Sequence, residues 1–333
     1  MKILVTGAAG FIGSALCKKL SDNGNRVIAI DNFSDYYDVS LKYARVKTLL
    51  EPLNLDVIDL DICSNVEINS LISKSKPDIV INLAAQAGVR LPREESNKYV
   101  SSNLVGFSNV LYSTVDNKVP FFVYASSSSV YGNNSTIPYS EGEQNLHPTS
   151  FYGATKLANE LLTPTLIKNS ATTARGLRYF TVYGPWGRPD MAYFRMIANV
   201  ISGAEFNLFG DGTIERDFTY IDDIVDSTYK LILDLKNRPV GSSDIVNIGG
   251  GRPLSINYLL EQIQYISGKK IKLERLKSDV NDVNRTVADA TYIESLIGTK
   301  PSISLEIGLT KTIKWAEQKD ISSNLNLWVK SVL

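Results

Sequence analysis

Histidine and cysteine are scarce in this sequence, and their scarcity limits the chemistry available to it. The 333 residues include one histidine, His147, and two cysteines, Cys17 and Cys63. So little histidine argues against histidine-based triads and multi-histidine metal sites. The two cysteines lack metal-ligand spacing, so we expect reduced thiols, a cytoplasmic location and no bound metal. Acid–base chemistry must therefore come from tyrosine, lysine, serine or carboxylates.

Excess charge and long apolar runs are also missing. The formal net charge is +0, with 44% hydrophobic and 21% charged residues. This balance gives no electrostatic reason to expect nucleic-acid or membrane partners. The apolar runs are only strand-sized, which argues against a transmembrane helix. A strand that begins at Lys2 leaves no room for a signal peptide, so none is expected.

Short apolar runs alternate with helical segments through the first half of the chain. Strands are predicted at Lys2–Thr6, Arg26–Ile30, Asp56–Leu60, Ile79–Leu83, Phe121–Ala125 and Ala174–Phe180. Helices are predicted at Phe11–Asn23, Val66–Ser75, Glu95–Asp116, Ile221–Leu235, Ile256–Ser267 and Leu305–Gln318. The βαβα order predicts an α/β protein with a Rossmann-type doubly wound parallel sheet and a smaller mixed C-terminal substrate-binding domain. We expect the first domain to span 1–183, the second to be mainly 184–333, and elements of about 217–250 to return to the first.

A glycine-rich turn follows the first predicted strand and opens a helix. Its residues are Gly7-Ala8-Ala9-Gly10-Phe11-Ile12-Gly13. In this position a first glycine permits the turn, a second lets a pyrophosphate approach the helix N-terminus, and a third allows close helix–strand packing. The spacing therefore predicts a dinucleotide site.

Acidic and small residues at the following strand ends are consistent with that site. Asp31 ends the second strand, where a carboxylate can accept both ribose hydroxyls of adenosine and repels the 2′-phosphate of NADP. No arginine directly adjoins it in sequence, so NAD is favoured. Asp61 and Ile62 either flank adenine or form a solvated turn. Ala84 and Ala85 are small enough for the backbone to pass close to the cofactor.

Tyr152 and Lys156 are separated by three residues, which places them on one face of a helix. An ammonium beside a phenol favours the phenolate, so we expect the pKa of Tyr152 to be lowered. Such a phenolate can take a proton from a sugar hydroxyl while a cofactor takes the hydride. A serine run, Ser126–Ser129, ends the fifth strand at the ligand-binding edge of the sheet, where a hydroxyl can assist that proton transfer.

These residues resemble an extended short-chain dehydrogenase/reductase of the nucleotide-sugar epimerase/dehydratase group, over essentially the whole chain. The resemblance is most specific in Leu83-Ala84-Ala85-Gln86-Ala87-Gly88-Val89-Arg90, in the run from Leu177 to Ala192, and in Arg216-Asp217-Phe218-Thr219-Tyr220-Ile221-Asp222-Asp223-Ile224. Within the group, the motifs resemble UDP-glucuronate 4-epimerases more than the other branches.

The resemblance implies a role for each matching residue. Tyr152, Lys156 and Ser127 are implied as catalytic. NAD is expected to contact Gly7, Gly10, Phe11, Ile12, Gly13, Asp31, Asn32, Asp61, Ile62, Leu83, Ala84, Ala85, Tyr152, Lys156 and Tyr179. A UDP-sugar is expected to contact Gln86, Arg90, Ser128, Ser129, Thr181, Arg188, Arg216 and Asp282. Of these, Thr181 and Arg188 are implied to hold a sugar carboxylate, Arg216 the diphosphate and Asp282 the uridine ribose. A homodimer through a four-helix interface is also implied.

The implied reaction is interconversion of UDP-glucuronate and UDP-galacturonate through a transient 4-keto intermediate. Dehydratases of the group carry an Asp-Glu pair before Val-Tyr-Gly, and decarboxylases a glutamate, whereas this chain has Ser128 and Ser129. Three alternatives remain open: a 4-epimerase of UDP-glucose or UDP-N-acetylglucosamine, a UDP-glucuronate decarboxylase, and a catalytically silent NAD-binding sensor.

Overall fold

A parallel sheet forms the centre of the molecule. The computed structural model describes residues 1–88, 91–133, 136–277 and 283–331. In these ranges the strands are β1 (Lys2–Thr6), β2 (Arg26–Asp31), β3 (Val57–Asp59), β4 (Ile79–Asn82), β5 (Phe121–Ser127), β6 (Thr173–Tyr179), β7 (Thr181–Tyr183), β8 (Glu205–Phe209), β9 (Glu215–Tyr220), β10 (Ser243–Ile248), β11 (Pro253–Ser255) and β12 (Lys272–Leu276). Seven of them form one sheet in the order β10-β6-β5-β4-β1-β2-β3.

Helices pack on both faces of this sheet, on the smaller sheets and on one another. They are α1 (Phe11–Asp22), α2 (Ser40–Arg45), α3 (Asn65–Ser75), α4 (Asn97–Tyr99), α5 (Phe107–Asp116), α6 (Phe151–Ile167), α7 (Ala192–Ser202), α8 (Ile221–Asp234), α9 (Ile256–Ser267), α10 (Thr291–Ile297), α11 (Leu305–Ala316), α12 (Lys319–Ser322) and α13 (Leu325–Lys330). Helices α1 and α8 pack together, as do α3 and α5. The predicted doubly wound α/β class is confirmed.

The central strands of the main sheet are largely apolar because their side chains enter two cores, one on each face. In β1, Ile3 and Val5 belong to one buried cluster, whereas Leu4 belongs to another on the opposite face. Strands buried on both faces read as continuous apolar runs, which made them predictable. β1 has the predicted bounds, and the ends of the other predicted strands differ by at most two residues.

The predicted helix Glu95–Asp116 is not one regular α-helix. It contains a short α-helix, α4, then a π-helical stretch, Val100–Gly106, and then α5. Such stretches interrupt the ordinary helical ladder and often accompany functional sites. Here the stretch carries Asn103, whose side chain is buried next to the cavity described below.

Later elements form two smaller sheets. One has the order β11-β9-β7 and the other pairs β12 with β8 in parallel. Strand β10 instead joins the edge of the main sheet beside β6. None of the helices in the described ranges is long and apolar enough to cross a membrane.

Candidate active site

A cavity of about 970 Å³ lies between the main sheet and the smaller sheets. Its wall includes the residues after β1, β2, β4 and β5, together with Phe206–Phe209 of β8. Open parallel sheets bind ligands at this carboxyl edge. The predicted site residues that line it are Gly7, Gly10, Phe11, Ile12, Gly13, Asp31, Asn32, Asp61, Ile62, Leu83, Ala84, Ala85, Gln86, Ser127, Ser128, Ser129, Tyr152, Lys156, Tyr179, Thr181, Arg188 and Arg216. The other two, Arg90 and Asp282, lie outside the described residues.

The glycine turn has the close packing that a dinucleotide cradle needs. Gly7 has a φ of 72°, and a Cβ there would lie 2.7 Å from the backbone nitrogen of Ala84. A Cβ on Gly13 would lie 2.0 Å from the carbonyl oxygen of Gly7. Any other residue would push the turn away from β4 or helix α1 away from the turn, so these residues fit a bound pyrophosphate.

Asp31 is buried at the end of β2. Its carboxylate accepts hydrogen bonds from the backbone of Ala9 (3.0 Å) and Phe33 (2.8 Å). Lys42, from α2, donates to it at 3.0 Å and also contacts Ser34. This lysine was not predicted, because it lies 11 residues from Asp31 in sequence rather than next to it. Asp31 and Lys42 both line the cavity, so their ion pair is compatible with the predicted contact between Asp31 and a ribose.

Asn32 and Asp61 contact each other across neighbouring strand ends. The Asn32 amide donates to Asp61 at 2.9 Å, and the backbone of Cys63 donates at 2.7 Å. Burial alone raises the pKa of Asp61, but these hydrogen bonds lower it below its usual value. The Asp61 carboxylate is therefore held by hydrogen bonds within the protein rather than being part of a freely solvated turn.

Tyr152 lies against the serine run because helix α6 approaches it closely. The helix is capped by Ser150, whose hydroxyl accepts from the Gly153 backbone at 3.1 Å. A Cβ on Gly153 would lie only 2.6 Å from the carbonyl oxygen of Ser129, so glycine permits the contact. The Ser127 hydroxyl donates to that of Ser129 at 3.1 Å. Tyrosine and serine hydroxyls are thus brought together at the end of β5.

The predicted lowering of the Tyr152 pKa is wrong for the protein on its own. Burial raises that pKa, although the Arg188 cation and a hydrogen bond with Ser127 oppose the rise. Lys156 lies 5.7 Å from the centre of the tyrosine ring, and its Nζ donates to the carbonyl oxygen of Ala125 at 2.8 Å. At that position the ammonium does not outweigh the desolvation of the phenol.

A buried ion pair between Glu160 and Arg178 lies close to Lys156. Glu160, one turn later on α6, accepts from Arg178 of β6 at 2.9 and 2.7 Å. The hydroxyl of Ser126, at the end of β5, also donates to Glu160. Burial lowers the pKa of Lys156 to about 8, and the charge of Glu160 partly offsets this. No sequence signal marked this pair, because Arg178 reaches α6 only through the sheet.

Arg188 already has a carboxylate partner. Its Nε donates to Asp190 at 3.0 Å, and its Nη2 donates to Asp190 and, at 3.3 Å, to the Ala87 carbonyl oxygen. The Tyr36 hydroxyl donates to the same carboxylate at 3.3 Å. Within the described part of the chain, the Arg188 Nη1 makes no hydrogen bond. No role was predicted for Asp190, although it lies only two residues after Arg188 in the sequence.

The remaining predicted residues differ in what they present to the cavity. The Gln86 backbone is fixed by Asn103, while its Nε2 is buried without a hydrogen-bond partner among the described residues. Such an atom is a candidate ligand contact. The Tyr179 hydroxyl instead shares a hydrogen bond with the Thr228 hydroxyl at 3.0 Å.

Comparison with known proteins assigns the chain to a family. The model of the NAD dependent epimerase/dehydratase family matches residues 3–249. The chain belongs to that family. A probable UDP-glucuronate 4-epimerase from Rhizobium meliloti is 35% identical over 332 residues, covering 96% of this chain and 97% of the relative.

Two solved structures of family members have similar folds. A Bacillus cereus UDP-glucuronic acid 4-epimerase, in complex with UDP-glucuronic acid and NAD, is 37% identical and has a TM-score of 0.88, covering 96% of this chain and 99% of its own. A Thermotoga maritima UDP-glucose 4-epimerase with UDP-glucose is 30% identical and has a TM-score of 0.85, covering 95% and 98%. Both uronate and neutral-sugar epimerases of the family therefore share this architecture.

Proposed function

We propose that this protein is an NAD-dependent 4-epimerase that interconverts UDP-glucuronate and UDP-galacturonate. The observation that carries the proposal is the position of Arg188, which lines the same cavity as Tyr152 and whose positive charge opposes the rise that burial causes in the Tyr152 pKa. A cation beside the reacting hydroxyl suits a sugar that bears a carboxylate. The similarity to the Bacillus cereus enzyme, which binds UDP-glucuronic acid and NAD, supports it.

NAD would be held by residues already suited to it. Gly7, Gly10 and Gly13 would accommodate the pyrophosphate at the start of α1, and Asp31 the adenosine ribose. The buried Gln86 Nε2 offers a further hydrogen bond toward the cavity. When bound, the cofactor supplies reversible hydride acceptance at the sugar's carbon 4.

The chain's own residues move the proton. Tyr152 would remove it from the 4-hydroxyl, with Ser127 sharing the hydrogen bond to the same oxygen. Lys156 would stabilise the resulting phenolate through its charge, from a position held by the Ala125 carbonyl oxygen. Since burial raises the pKa of Tyr152, positive charge from Lys156 and Arg188 is needed for this step.

The serine run favours epimerisation over elimination or decarboxylation. Ser128 and Ser129 both line the cavity, and neither can act as a strong acid or base. Without a second carboxylate there, water loss across carbons 5 and 6 is not assisted. Return of the hydride to the opposite face of carbon 4 is the remaining outcome, and it inverts that centre.

Oxidation of a uronate at carbon 4 creates a β-keto acid that can lose carbon dioxide. Thr181 and Arg188 would hold the carboxylate out of alignment with the ketone, since a planar guanidinium fixes carboxylate orientation. We expect Arg188→Ala to weaken uronate binding by roughly tenfold or more, the value of one lost charge-assisted contact. It should also release carbon dioxide and a 4-keto-pentose or pentose product, measured by NMR.

Arg188→Lys is the matched variant, because it keeps the charge and loses the planar fork. It should bind UDP-glucuronate more tightly than Arg188→Ala does, and it should still release the pentose product. Wild-type affinity together with no pentose product in Arg188→Ala would rule out this role for Arg188.

The test of the function is proton NMR of the purified protein with UDP-glucuronate and no added cofactor. Appearance of UDP-galacturonate without carbon dioxide or net NADH is the expected result. Turnover of UDP-glucose or UDP-N-acetylglucosamine alone would show instead that this is a neutral-sugar epimerase. Asp190 favours that alternative, since it already neutralises Arg188.

Assembly, domain division and location are further parts of the proposal. We propose a homodimer through α5 and α6, a cytoplasmic location in keeping with two free thiols, and domains at 1–183 and mainly 184–333. The return of β10 to the main sheet supports the predicted contribution of about 217–250 to the first domain. A UDP-sugar, rather than nucleic acid or membrane, is the proposed partner.

A further inference from the structure

One fully buried arginine, Arg45, contacts both the glycine turn after β1 and the loop that precedes Arg188. It ends helix α2, and none of its surface is exposed. Its guanidinium donates to the carbonyl oxygens of Trp186 (2.9 Å), Gly187 (2.9 Å) and Ala9 (3.2 Å), and to the Tyr37 hydroxyl (2.6 Å). All four acceptors are uncharged. The cation is therefore stabilised by backbone dipoles that it holds in place, rather than by a carboxylate.

Two of these acceptors belong to the loop that carries Arg188, and that loop is strained. Trp186 has a φ of 64°, a left-handed conformation that side chains other than glycine rarely adopt. A Cβ on Gly187 would lie 1.6 Å from the Tyr193 hydroxyl oxygen, so the next peptide is tightly enclosed. Local sequence preference does not produce this backbone, so contacts from outside the loop must maintain it.

The third carbonyl acceptor lies in the cofactor cradle. Ala9 stands between Gly7 and Gly10, and its backbone nitrogen donates to Asp31. The same Nη1 atom that contacts Ala9 also contacts Tyr37, which lines the cavity. A single side chain thus links the turn proposed for NAD with the loop proposed for the sugar carboxylate.

We propose that Arg45 is a positioning residue that holds the Trp186–Gly187 backbone so that Arg188 faces the substrate carboxylate. The proposal rests on the proposed function, because it gives Arg45 an effect specific to uronates. Arg45 touches neither substrate nor cofactor in this role. It sets sugar preference through the backbone of Arg188.

Only an arginine can make these contacts at once. Nε, Nη1 and Nη2 each have a different carbonyl partner, whereas a lysine has one nitrogen. Arg45→Lys therefore keeps the charge and releases part of the loop. If the remaining ammonium prevents folding, Arg45→Gln removes the charge and keeps one amide donor.

The experiment compares the binding of two nucleotide sugars. Each variant is made in a Tyr152→Phe background, which blocks turnover, and NAD-loaded protein is titrated calorimetrically with UDP-glucuronate and with UDP-glucose. We expect Arg45→Lys to reduce the uronate-to-glucose affinity ratio by about tenfold while UDP-glucose affinity stays near wild type. With Tyr152 restored, the variant should also release some pentose product.

Arg175→Lys is the matched control. Arg175 is equally buried, but it pairs with Asp234 and Asp244 away from the cavity. Its replacement should leave the affinity ratio unchanged. A purely structural role for Arg45 predicts equal losses for both sugars, and either that result or an unchanged ratio in a folded Arg45 variant overturns the proposal.

The wild-type titration separates this inference from the function. A clear uronate preference in the wild-type background, retained in Arg45→Lys, contradicts only the role of Arg45. A wild-type background that binds both sugars equally contradicts the uronate assignment as well.

Discussion

At the scale of single residues, burial controls the ionisation of the catalytic groups. Desolvation raises the pKa of Tyr152, whereas it lowers that of Lys156 to about 8. The two shifts oppose the charged pair that the reaction needs. Nearby charges therefore decide whether a phenolate forms beside an ammonium, and Arg188 and Glu160 supply them.

We expect kcat/KM to fall as the pH rises through about 8, where Lys156 loses its proton. The charged form lies on the acidic side of that value, so the stabilising cation is present below it and absent above it. A pH–rate profile with UDP-glucuronate measures this. Lys156→Arg, whose guanidinium does not titrate in this range, should lack the descending limb at a lower maximum rate. A wild-type profile that stays level through the same range would contradict the assignment.

At the scale of elements, helix α6 positions the catalytic side chains of the site. It presents Tyr152 and Lys156 to the cavity and Glu160 to the ends of β5 and β6. The π-helical stretch before α5 adds a second connection, because Asn103 contacts both the Gln86 backbone and Thr155 of α6. The helix is thus held at several points along its catalytic face.

The Glu160→Gln substitution should move the descending limb of the pH profile to lower pH. Glu160 raises the pKa of Lys156, so removing its charge lets burial lower that pKa further. Because Arg178 is then left without its buried partner, stability should also fall, by about 3 kcal/mol.

Ser126→Ala is the control for Glu160→Gln. It removes a hydrogen bond to Glu160 and keeps the charge, so the limb should stay in place. If both variants shift the descending limb of the pH profile equally, the shift is caused by altered packing rather than by the lost charge.

At the scale of the whole molecule, one apolar surface is not covered by the chain itself. Tyr112 on α5 is 50% exposed and Leu161 on α6 is 65% exposed, and Leu162 on α6 and Val105 in the π-helical stretch before α5 are also exposed. An apolar face formed by two helices suits a symmetric pairing with a second copy.

We expect Leu161→Glu to convert a dimer into a monomer, because it replaces an exposed apolar side chain of that surface with a charged one. Size-exclusion chromatography with light scattering measures the mass. Leu327→Glu, at a similarly exposed leucine on α13, should leave the dimer intact. A monomeric wild-type protein would rule out the interface.

The sequence by itself determined the alternation of strands and helices in the first half of the chain, the glycine cradle and the Tyr152–Lys156 spacing. These features depend on local rules: apolar runs mark strands buried on both faces, glycine permits the turn at Gly7, and a three-residue gap fixes a shared helical face. The regular α-helix predicted through Val100–Gly106 was wrong, because the π-helical break follows from packing rather than from spacing.

Only the tertiary structure decided which charges meet. Lys42 reaches Asp31, Arg178 reaches Glu160, and Arg45 reaches the loop before Arg188 across more than a hundred residues of sequence. These contacts depend on the strand order and on how the smaller sheets close over the main one. The pKa values depend on the same arrangement, because burial is a property of the folded molecule, and local sequence carries no measure of it.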